Sequence, residues 1–246
     1  MLAEKPLPLV GDALTRRIYA PEAYNLVRTS RIVPVVHVEA ARLAAFFPLA
    51  WSRRTGTPEL VALRSLIADQ NGQPPRARRC LPFLLFAYPF VHGPPDAAES
   101  APFMLDDVFA DEPTDVGASV MTPDNKPSLG TQLRLDSLDE FSQHLPLTSA
   151  IGRALAEHDL LEPWELRFNI EGQAIEIPGL EIARQAAFET GRYAPLISSL
   201  GLPAAQLLAL HRISLFRAGI LLTMAKSVLQ AKDEPASAGV AARLAQ

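Results

Sequence analysis

The chain has 246 residues, of which 48% are hydrophobic and 20% are charged, and its formal net charge is -4. This composition is typical of a soluble globular protein with a substantial core. The negative charge argues against broad nucleic-acid binding, which requires a basic surface, and we expect no nucleic-acid partner. The single cysteine, Cys80, excludes an intrachain disulfide, and its apolar neighbours predict a buried, unreactive thiol.

The first eight residues do not resemble a signal peptide, because they contain an acid and two prolines and lack an apolar segment. The sequence contains no run of the roughly 18 apolar residues that a membrane-spanning helix needs. The nearest candidate, residues 218–225, is short and is flanked by Arg217 and Lys226. We therefore expect a cytoplasmic protein that contacts membranes peripherally at most.

The first patterned segments lie in the N-terminal third. Residues 31–38 are β-branched and predict a strand that Pro34 interrupts or places at a sheet edge. Residues 39–47 carry apolar side chains at helical spacing and predict one short helix that ends at Pro48.

Further strands are predicted before the middle of the chain. Residues 49–53 and 59–66 predict two short strands joined by a turn. Residues 81–90 are apolar and aromatic and predict a core strand. Residues 91–125 are rich in proline and acids, and they predict a long irregular connection with one strand at 103–105.

The second half predicts mainly helices. Ser137 and Glu140 form a capping box that predicts a helix start, and Pro146 predicts its end. Residues 148–158 predict a second helix. Residues 164–177 predict a β-hairpin, because apolar and polar side chains alternate and a Glu-Gly turn separates the two arms.

The last elements complete the predicted fold. Residues 180–190 predict a helix, Pro203 predicts the start of a final helix that ends near residue 229, and residues 231–246 predict a flexible tail. We expect a single α+β domain over residues 1–230. Its mixed or antiparallel sheet, built from the N-terminal half and the 164–177 hairpin, would pack against the C-terminal helices.

His37 and Glu39 are candidate metal ligands. On a strand they would point to the same face, because residues i and i+2 lie side by side there. A third ligand would come from another segment, such as Asp106 or His92. The alternative, which we favour, is a structural or capping role for Glu39.

Two further groups are candidate binding residues. Arg76, Arg78 and Arg79 would suit a carboxylate, a phosphate or an acidic peptide, although we favour the alternative of a solvated basic face. For Tyr88 and Phe90, the interpretation that we favour is that both belong to the core. The alternative is that they line an apolar groove for a peptide or small molecule, with the Tyr88 hydroxyl as its polar group.

The final predicted helix carries many apolar residues beside Arg212, Arg217 and Lys226. We expect most of it to pack on the core. A face left exposed would form a dimer surface or a peripheral membrane surface.

The sequence contains no glycine-rich phosphate loop, no Gly-x-Ser-x-Gly motif, no Cys-x-x-Cys pair and no His-Glu-x-x-His motif. We therefore expect no cofactor, and we favour a function other than catalysis.

An ordered set of phrases resembles the SapC family, which is named for a surface-array (S-layer) gene neighbourhood. The segment 122–128 also resembles a turn of that family, with Asn125 where the family has glycine. The phrases that carry the resemblance are residues 33–39, 46–51, 81–83, 88–90 and 160–164.

The resemblance implies an association with genes for surface-layer or secreted proteins, or with outer-membrane receptor and oxygenase genes, and it supplies no catalytic residue. We expect a non-enzymatic accessory or binding protein that handles surface-layer or secreted proteins, with a protein or peptide partner and a homodimeric state. One alternative is a metal-dependent enzyme or oxygenase partner that acts on a peptide or small molecule. Another is a peripheral membrane component of a secretion system.

Overall fold

The computed structural model describes residues 3–68, 70, 80–93, 102–170 and 172–244, and the side chains of those up to residue 231. Its strands are β1 Pro6–Pro8, β2 Arg17–Ile18, β3 Ile32–Pro34, β4 Leu49–Ser52, β5 Glu59–Leu63, β6 Phe90–His92, β7 Phe103–Asp106, β8 Ala118–Ser119, β9 Leu161–Pro163, β10 Leu166–Ile170, β11 Gln173–Ile177 and β12 Leu180–Ala183. Its α-helices are α1 Asn25–Thr29, α2 Ala40–Leu43, α3 Phe83–Ala87, α4 Leu129–Glu157, α5 Gln185–Glu189, α6 Ala194–Ser214 and α7 Ala218–Leu244.

A five-stranded antiparallel sheet forms the centre of the fold, in the order β3-β5-β4-β12-β9. The predicted strand pair at 49–53 and 59–66 is confirmed as β4 and β5, in a register that places Trp51 opposite Leu60. Strands from both halves of the chain meet where β12 pairs with β4. The fold is therefore the predicted α+β class, and every strand pair between the described residues is antiparallel.

Both faces of this sheet are covered, which explains why all of β4 is buried. Alternate residues of a strand point to opposite faces, so Leu49 and Trp51 enter one core while Ala50 enters the other. On the first face lie α2, α4 and α6. On the second face lie the β10–β11 hairpin and α7.

The predicted hairpin at 164–177 is confirmed, with Leu166 opposite Ile177 and Ile170 opposite Gln173. It forms a separate two-stranded sheet, and its buried side chains Leu166, Ile170, Ile175 and Ile177 pack with Leu221, Ala225 and Leu229 of α7. The hairpin is thus a covering layer over the central sheet.

One long helix, α4, replaces the two predicted helices. It begins at Leu129, where the Ser128 hydroxyl accepts a hydrogen bond from the Thr131 N–H. The predicted capping residue Ser137 instead lies inside α4 and donates to the Phe83 carbonyl. Pro146 also lies inside the helix, on its exposed side, so the predicted break at this position was wrong.

Two other predictions of element type and one predicted helix start were wrong. Within 81–90, residues 83–87 form α3 rather than a strand. Within 180–190, the chain first forms β12 and only then α5. The helix expected to start at Pro203 begins earlier, at Ala194, and is interrupted at Gly201, whose φ is 72°.

Two further predictions concern the strand at 103–105 and the C-terminal tail. The strand predicted at 103–105 is confirmed as β7, which lies between β1 and β6 in a three-stranded sheet. Helix α7 extends to Leu244 and so includes much of the predicted tail. Whether that tail is flexible stays a prediction.

Candidate binding site

An open cleft of about 450 Å³ lies beside the β1-β7-β6 sheet. Its walls come from four places in the chain: the residues before β1, the start of α1, the residue after α3, and the loop that follows β7. The residues that line it include Glu4, Lys5, Tyr24, Tyr88, Phe109 and Asp111.

The predicted binding residue Tyr88 lines the wall of this cleft. Its hydroxyl donates a hydrogen bond to Oδ2 of Asp106 at 2.7 Å. The backbone N–H groups of Glu4 and Lys5 donate to Oδ2 and Oδ1 of the same carboxylate at 2.9 and 2.5 Å. Asp106 is 2% exposed, so its three hydrogen bonds offset the cost of burying its charge. They also anchor the N-terminal segment to the cleft.

Two tyrosine rings form the aromatic part of the wall. Tyr24 meets Tyr88 edge to face, with ring centroids 5.2 Å apart. Burial raises the pKa of both phenols, and the hydrogen bond to Asp106 raises that of Tyr88 further. Both tyrosines are therefore neutral at physiological pH. They are 2% and 1% exposed, so they belong to a packed core cluster behind the cleft and present little surface to a ligand.

Phe109 stands at the mouth of the cleft and is 88% exposed. It also borders an adjoining cavity of about 160 Å³, which is lined in part by Tyr19 and Arg16. Phe109 was not predicted as a binding residue, although an aromatic side chain within an acidic, irregular segment could have indicated it. Tyr24 was not predicted either.

Ion pairs hold the loop that carries Phe109. Arg16 pairs with Asp107 at 2.9 Å, and Arg28 pairs with Asp111 and with Glu112. The N–H groups of Asp111 and Glu112 both donate to the Ala23 carbonyl at 3.1 Å. Two arginines thus pair with three acids of this loop, so most of its negative charge is neutralised within the protein.

Phe90, another predicted binding residue, is not part of the cleft. Phe90 is completely buried and packs with Leu105 and Leu138 in the core, where no ligand reaches it. Arg76, Arg78 and Arg79 lie outside the described residues.

Glu39, one of the predicted metal ligands, is engaged by three protein donors. Its Oε1 accepts from the Phe83 N–H at 2.7 Å and from Arg42 at 3.1 Å, and its Oε2 accepts from the Val36 N–H at 3.1 Å. Burial raises the pKa of this carboxyl to about 7, against the opposing effect of the donors. These contacts tie the start of α3 to the segment before α2, which is the structural role that we favoured.

His37 lies in a 3-10 helix, His37–Glu39, and not on the predicted strand. The Thr148 hydroxyl donates to the His144 carbonyl, so it accepts from the His37 N–H and from His37 Nδ1 at 2.9 Å. Nδ1 therefore carries the ring proton. Burial lowers the pKa of His37, and His144, whose ring centroid is 5.4 Å away, lowers it further.

The predicted metal set of His37, Glu39 and Asp106 is not brought together. Glu39 contacts α3, His37 contacts α4, and Asp106 contacts β1. Among the described residues, no three side chains of His, Cys, Asp or Glu are grouped closely enough to hold a metal ion. The proposed third ligand His92 instead bonds to Ser142 at 3.0 Å.

A second cavity of about 420 Å³ lies next to Arg42. Its apolar lining is Leu81, Phe83 and Phe86, and the Arg42 guanidinium lies 5.1 Å from the centroid of the Phe83 ring. Arg42 thus connects the buried Glu39 carboxylate to the surface. None of the described residues that line this cavity is a predicted binding residue.

Comparison with known proteins decides the family. The sequence profile of the SapC family matches residues 15–215, well over half of the chain. The chain belongs to the SapC family. No curated protein and no solved structure matches it.

The SapC match covers most of the cleft. Tyr24, Tyr88, Asp106 and Phe109 lie within the matched residues. Strand β1, whose preceding residues Glu4 and Lys5 bind Asp106, lies outside them, as does all of α7. The aromatic wall therefore belongs to the SapC region, while one side of the cleft comes from the N-terminal extension of this chain.

Proposed function

We propose that this SapC-family protein is a non-enzymatic accessory protein that binds a peptide segment of a surface-layer or secreted protein in the Tyr24–Tyr88 cleft. The observation that carries the proposal is the exposed Phe109 at the mouth of an open, aromatic-walled cleft. Exposed aromatic side chains beside a concave surface are typical of sites that bind a partner.

The charges around the cleft favour a ligand selected by shape and apolar contact. Asp107 and Asp111 are each paired with an arginine, so they offer no free charge for an ionic ligand. We expect ligand binding to change little with salt concentration, because screening weakens charge–charge attraction and leaves apolar contacts unaffected.

The hydrogen bonding of the wall supports binding rather than catalysis. The Tyr88 hydroxyl donates to Asp106, and Asp106 accepts two further backbone hydrogen bonds. Both side chains are almost completely buried, so a ligand in the cleft has little access to the proton that they share. We also propose that the protein acts in the cytoplasm.

Photo-crosslinking tests this proposal in the cells that make the protein. A photoreactive phenylalanine analogue is placed at position 109, the cells are irradiated, and the adducts are identified by mass spectrometry. The matched control carries the analogue at Leu129, which is also exposed but lies at the start of α4. Adducts with a surface or secreted protein from position 109 alone support the proposal.

Two results would overturn it. One is the absence of any position-specific adduct at 109. The other is a stoichiometric metal in the purified protein that His37→Ala removes, which would establish the metal-dependent alternative. Inductively coupled plasma mass spectrometry measures that metal directly.

A further inference from the structure

The side of α6 and α7 that faces away from the sheet carries large apolar side chains. Ile213, Phe216 and Ile220 are 58%, 85% and 44% exposed. Their spacing of three and four residues places them on one side of the helix, and we call them the 213–220 face. A contiguous apolar patch of this kind marks an interaction surface.

The same helical stretch, Ala194–Ala231, is the one part of the described chain with the length and apolar composition to cross a membrane. Its other side is committed to the fold. His211 is buried and hydrogen-bonded to the backbone of Leu49 and Ala183, and Leu207 and Leu208 pack on the central sheet. In the folded protein, this stretch can therefore offer only one face to a membrane.

The described helical stretch that carries the 213–220 face has only positive charges. Residues 191–231 contain four arginine or lysine residues and no acid, although the whole chain has a net charge of -4. Lys226 is exposed and Arg217 is half-buried. Neither side chain forms an ion pair with a described residue, so both charges are free to meet an external anion.

Thr223 and Ser227 lie further along this exposed side of the helix, and their hydroxyl groups form hydrogen bonds within the helix. The Thr223 hydroxyl donates to the Gly219 carbonyl at 3.0 Å, and the Ser227 hydroxyl donates to the Thr223 carbonyl at 3.1 Å. Hydroxyl donors bonded to their own helix add little cost when they enter an apolar medium.

We propose that the 213–220 face docks on the surface of an anionic lipid bilayer. Ile213, Phe216 and Ile220 enter the boundary between headgroups and acyl chains, while Arg217 and Lys226 contact lipid phosphates. A second copy of the chain fits this face less well. A symmetric pair would bring basic side chains of both copies together, and residues 191–231 supply no acid to neutralise them.

Vesicle flotation of the purified chain tests the proposal. The probes are vesicles of phosphatidylcholine alone and vesicles of phosphatidylcholine mixed with an equal amount of phosphatidylglycerol, at low and high salt. We expect binding to the anionic vesicles at low salt to exceed binding to the neutral ones by about tenfold. High salt should remove most of that difference, because it screens the attraction.

Two variants assign the binding to the face. Phe216→Ser removes its largest apolar side chain, and we expect about a tenfold loss of partitioning. The double variant Arg217→Glu with Lys226→Glu should lower binding to anionic vesicles by about tenfold or more. Each altered side chain lies at the surface, so circular dichroism and thermal unfolding should confirm an intact fold.

Matched controls change the same chemistry elsewhere. Phe109→Ser removes an equally exposed phenylalanine from the cleft, and Lys126→Glu with Arg153→Glu reverses two exposed charges outside the face. Both should bind vesicles as the unaltered chain does. Phe109→Ser also separates this proposal from peptide binding, because it changes the cleft alone.

Three outcomes would overturn the proposal. The first is a protein that stays unbound with anionic vesicles at low salt. The second is vesicle binding that neither face variant weakens. The third is a protein that does not bind vesicles but forms a dimer, detected by light scattering, which Phe216→Ser dissociates. In that case the 213–220 face would bind a second copy of the chain.

Discussion

His211 is a buried imidazole that joins three elements of the fold. Its Nδ1 donates to the Leu49 carbonyl of β4 at 2.8 Å, and its Nε2 accepts from the Ala183 N–H of β12 at 3.1 Å. The ring is therefore the Nδ1–H tautomer. Burial lowers its pKa from 6.5 to about 4, with a smaller contribution from the nearby charge of Arg212. The Trp51 ring packs beside the imidazole, with ring centroids 4.7 Å apart.

This pKa predicts a loss of stability in acid. Above pH 6.5, His211 is neutral in both the folded and the unfolded chain, and its contribution is fully present. As the pH falls from 6.5 to 4, the unfolded chain takes up a proton that the folded chain resists. Folding should lose about 3 kcal/mol over this range through this group alone.

Urea unfolding at a series of pH values measures this effect, with His211→Gln as the test variant. Glutamine keeps a donor and an acceptor but does not titrate, so the stability of the variant should fall by about 3 kcal/mol less than that of the unaltered chain. His158→Gln, at an exposed histidine, is the control and should keep the original acid sensitivity. The prediction would be contradicted if the free energy of unfolding fell equally with decreasing pH in the unaltered chain and in His211→Gln.

Single residues were predictable where local chemistry decides their role. Asn125, in the predicted turn at 122–128, takes a φ of 59°, which asparagine tolerates better than most residues. The roles of Asp106 and Tyr88 were not predictable, because Asp106 meets Glu4 across 102 positions of the chain.

At the scale of elements, α4 approaches the β4–β5 hairpin very closely at Gly152. A Cβ atom added there would lie 2.8 Å from the Pro58 carbonyl oxygen. That oxygen belongs to the backbone and cannot rotate away as a flexible side chain would. The close contact explains why glycine, a poor helix former, occupies the interior of a 29-residue helix.

Gly152→Ala should therefore destabilise the protein by about 2 kcal/mol, because overpacking outweighs the better helix propensity of alanine. The control is Gly130→Ala in the first turn of α4, where an added Cβ meets nothing nearer than 3.7 Å. That change should be neutral or stabilise the protein by up to about 1 kcal/mol. Urea unfolding measures both, and equal stability of the two variants would contradict the close-approach argument.

The elements that were predicted wrongly share a physical cause. Residues 83–87 are apolar throughout, and a short apolar run suits a helix or a strand equally well. Strand β12 forms because its backbone pairs with β4 and β9, which are distant in the chain. In α4, packing of the helix against the core overrides the local stop signal at Pro146. The 164–177 hairpin was predictable because its pairing is local.

At the scale of the whole molecule, the central sheet joins both halves of the chain. Strands β3, β4 and β5 come from residues 32–63, and β9 and β12 come from residues 161–183. Neither half can form this sheet alone. We therefore predict that the region expected to be a single domain, residues 1–230, unfolds in one cooperative transition.

Trp164→Phe provides a clean test, because Trp51 is then the only tryptophan and it is buried in the central sheet. Urea unfolding followed by Trp51 fluorescence and by far-ultraviolet circular dichroism should give coincident midpoints. The Trp164→Phe variant should first be compared with the unaltered chain by circular dichroism alone. Separate midpoints for the two signals would reveal independently unfolding parts.

The sequence by itself determined the fold class, the SapC resemblance, the β4–β5 strand pair and the hairpin, because these depend on composition and on patterns between neighbouring residues. Only the tertiary structure decided where the functional side chains lie. It separated His37, Glu39 and Asp106, placed Tyr88 in a cleft with Phe109, and exposed the 213–220 face. Such contacts join residues up to 165 positions apart, as between Leu49 and Ser214. Local periodicity carries no information about pairings at that distance.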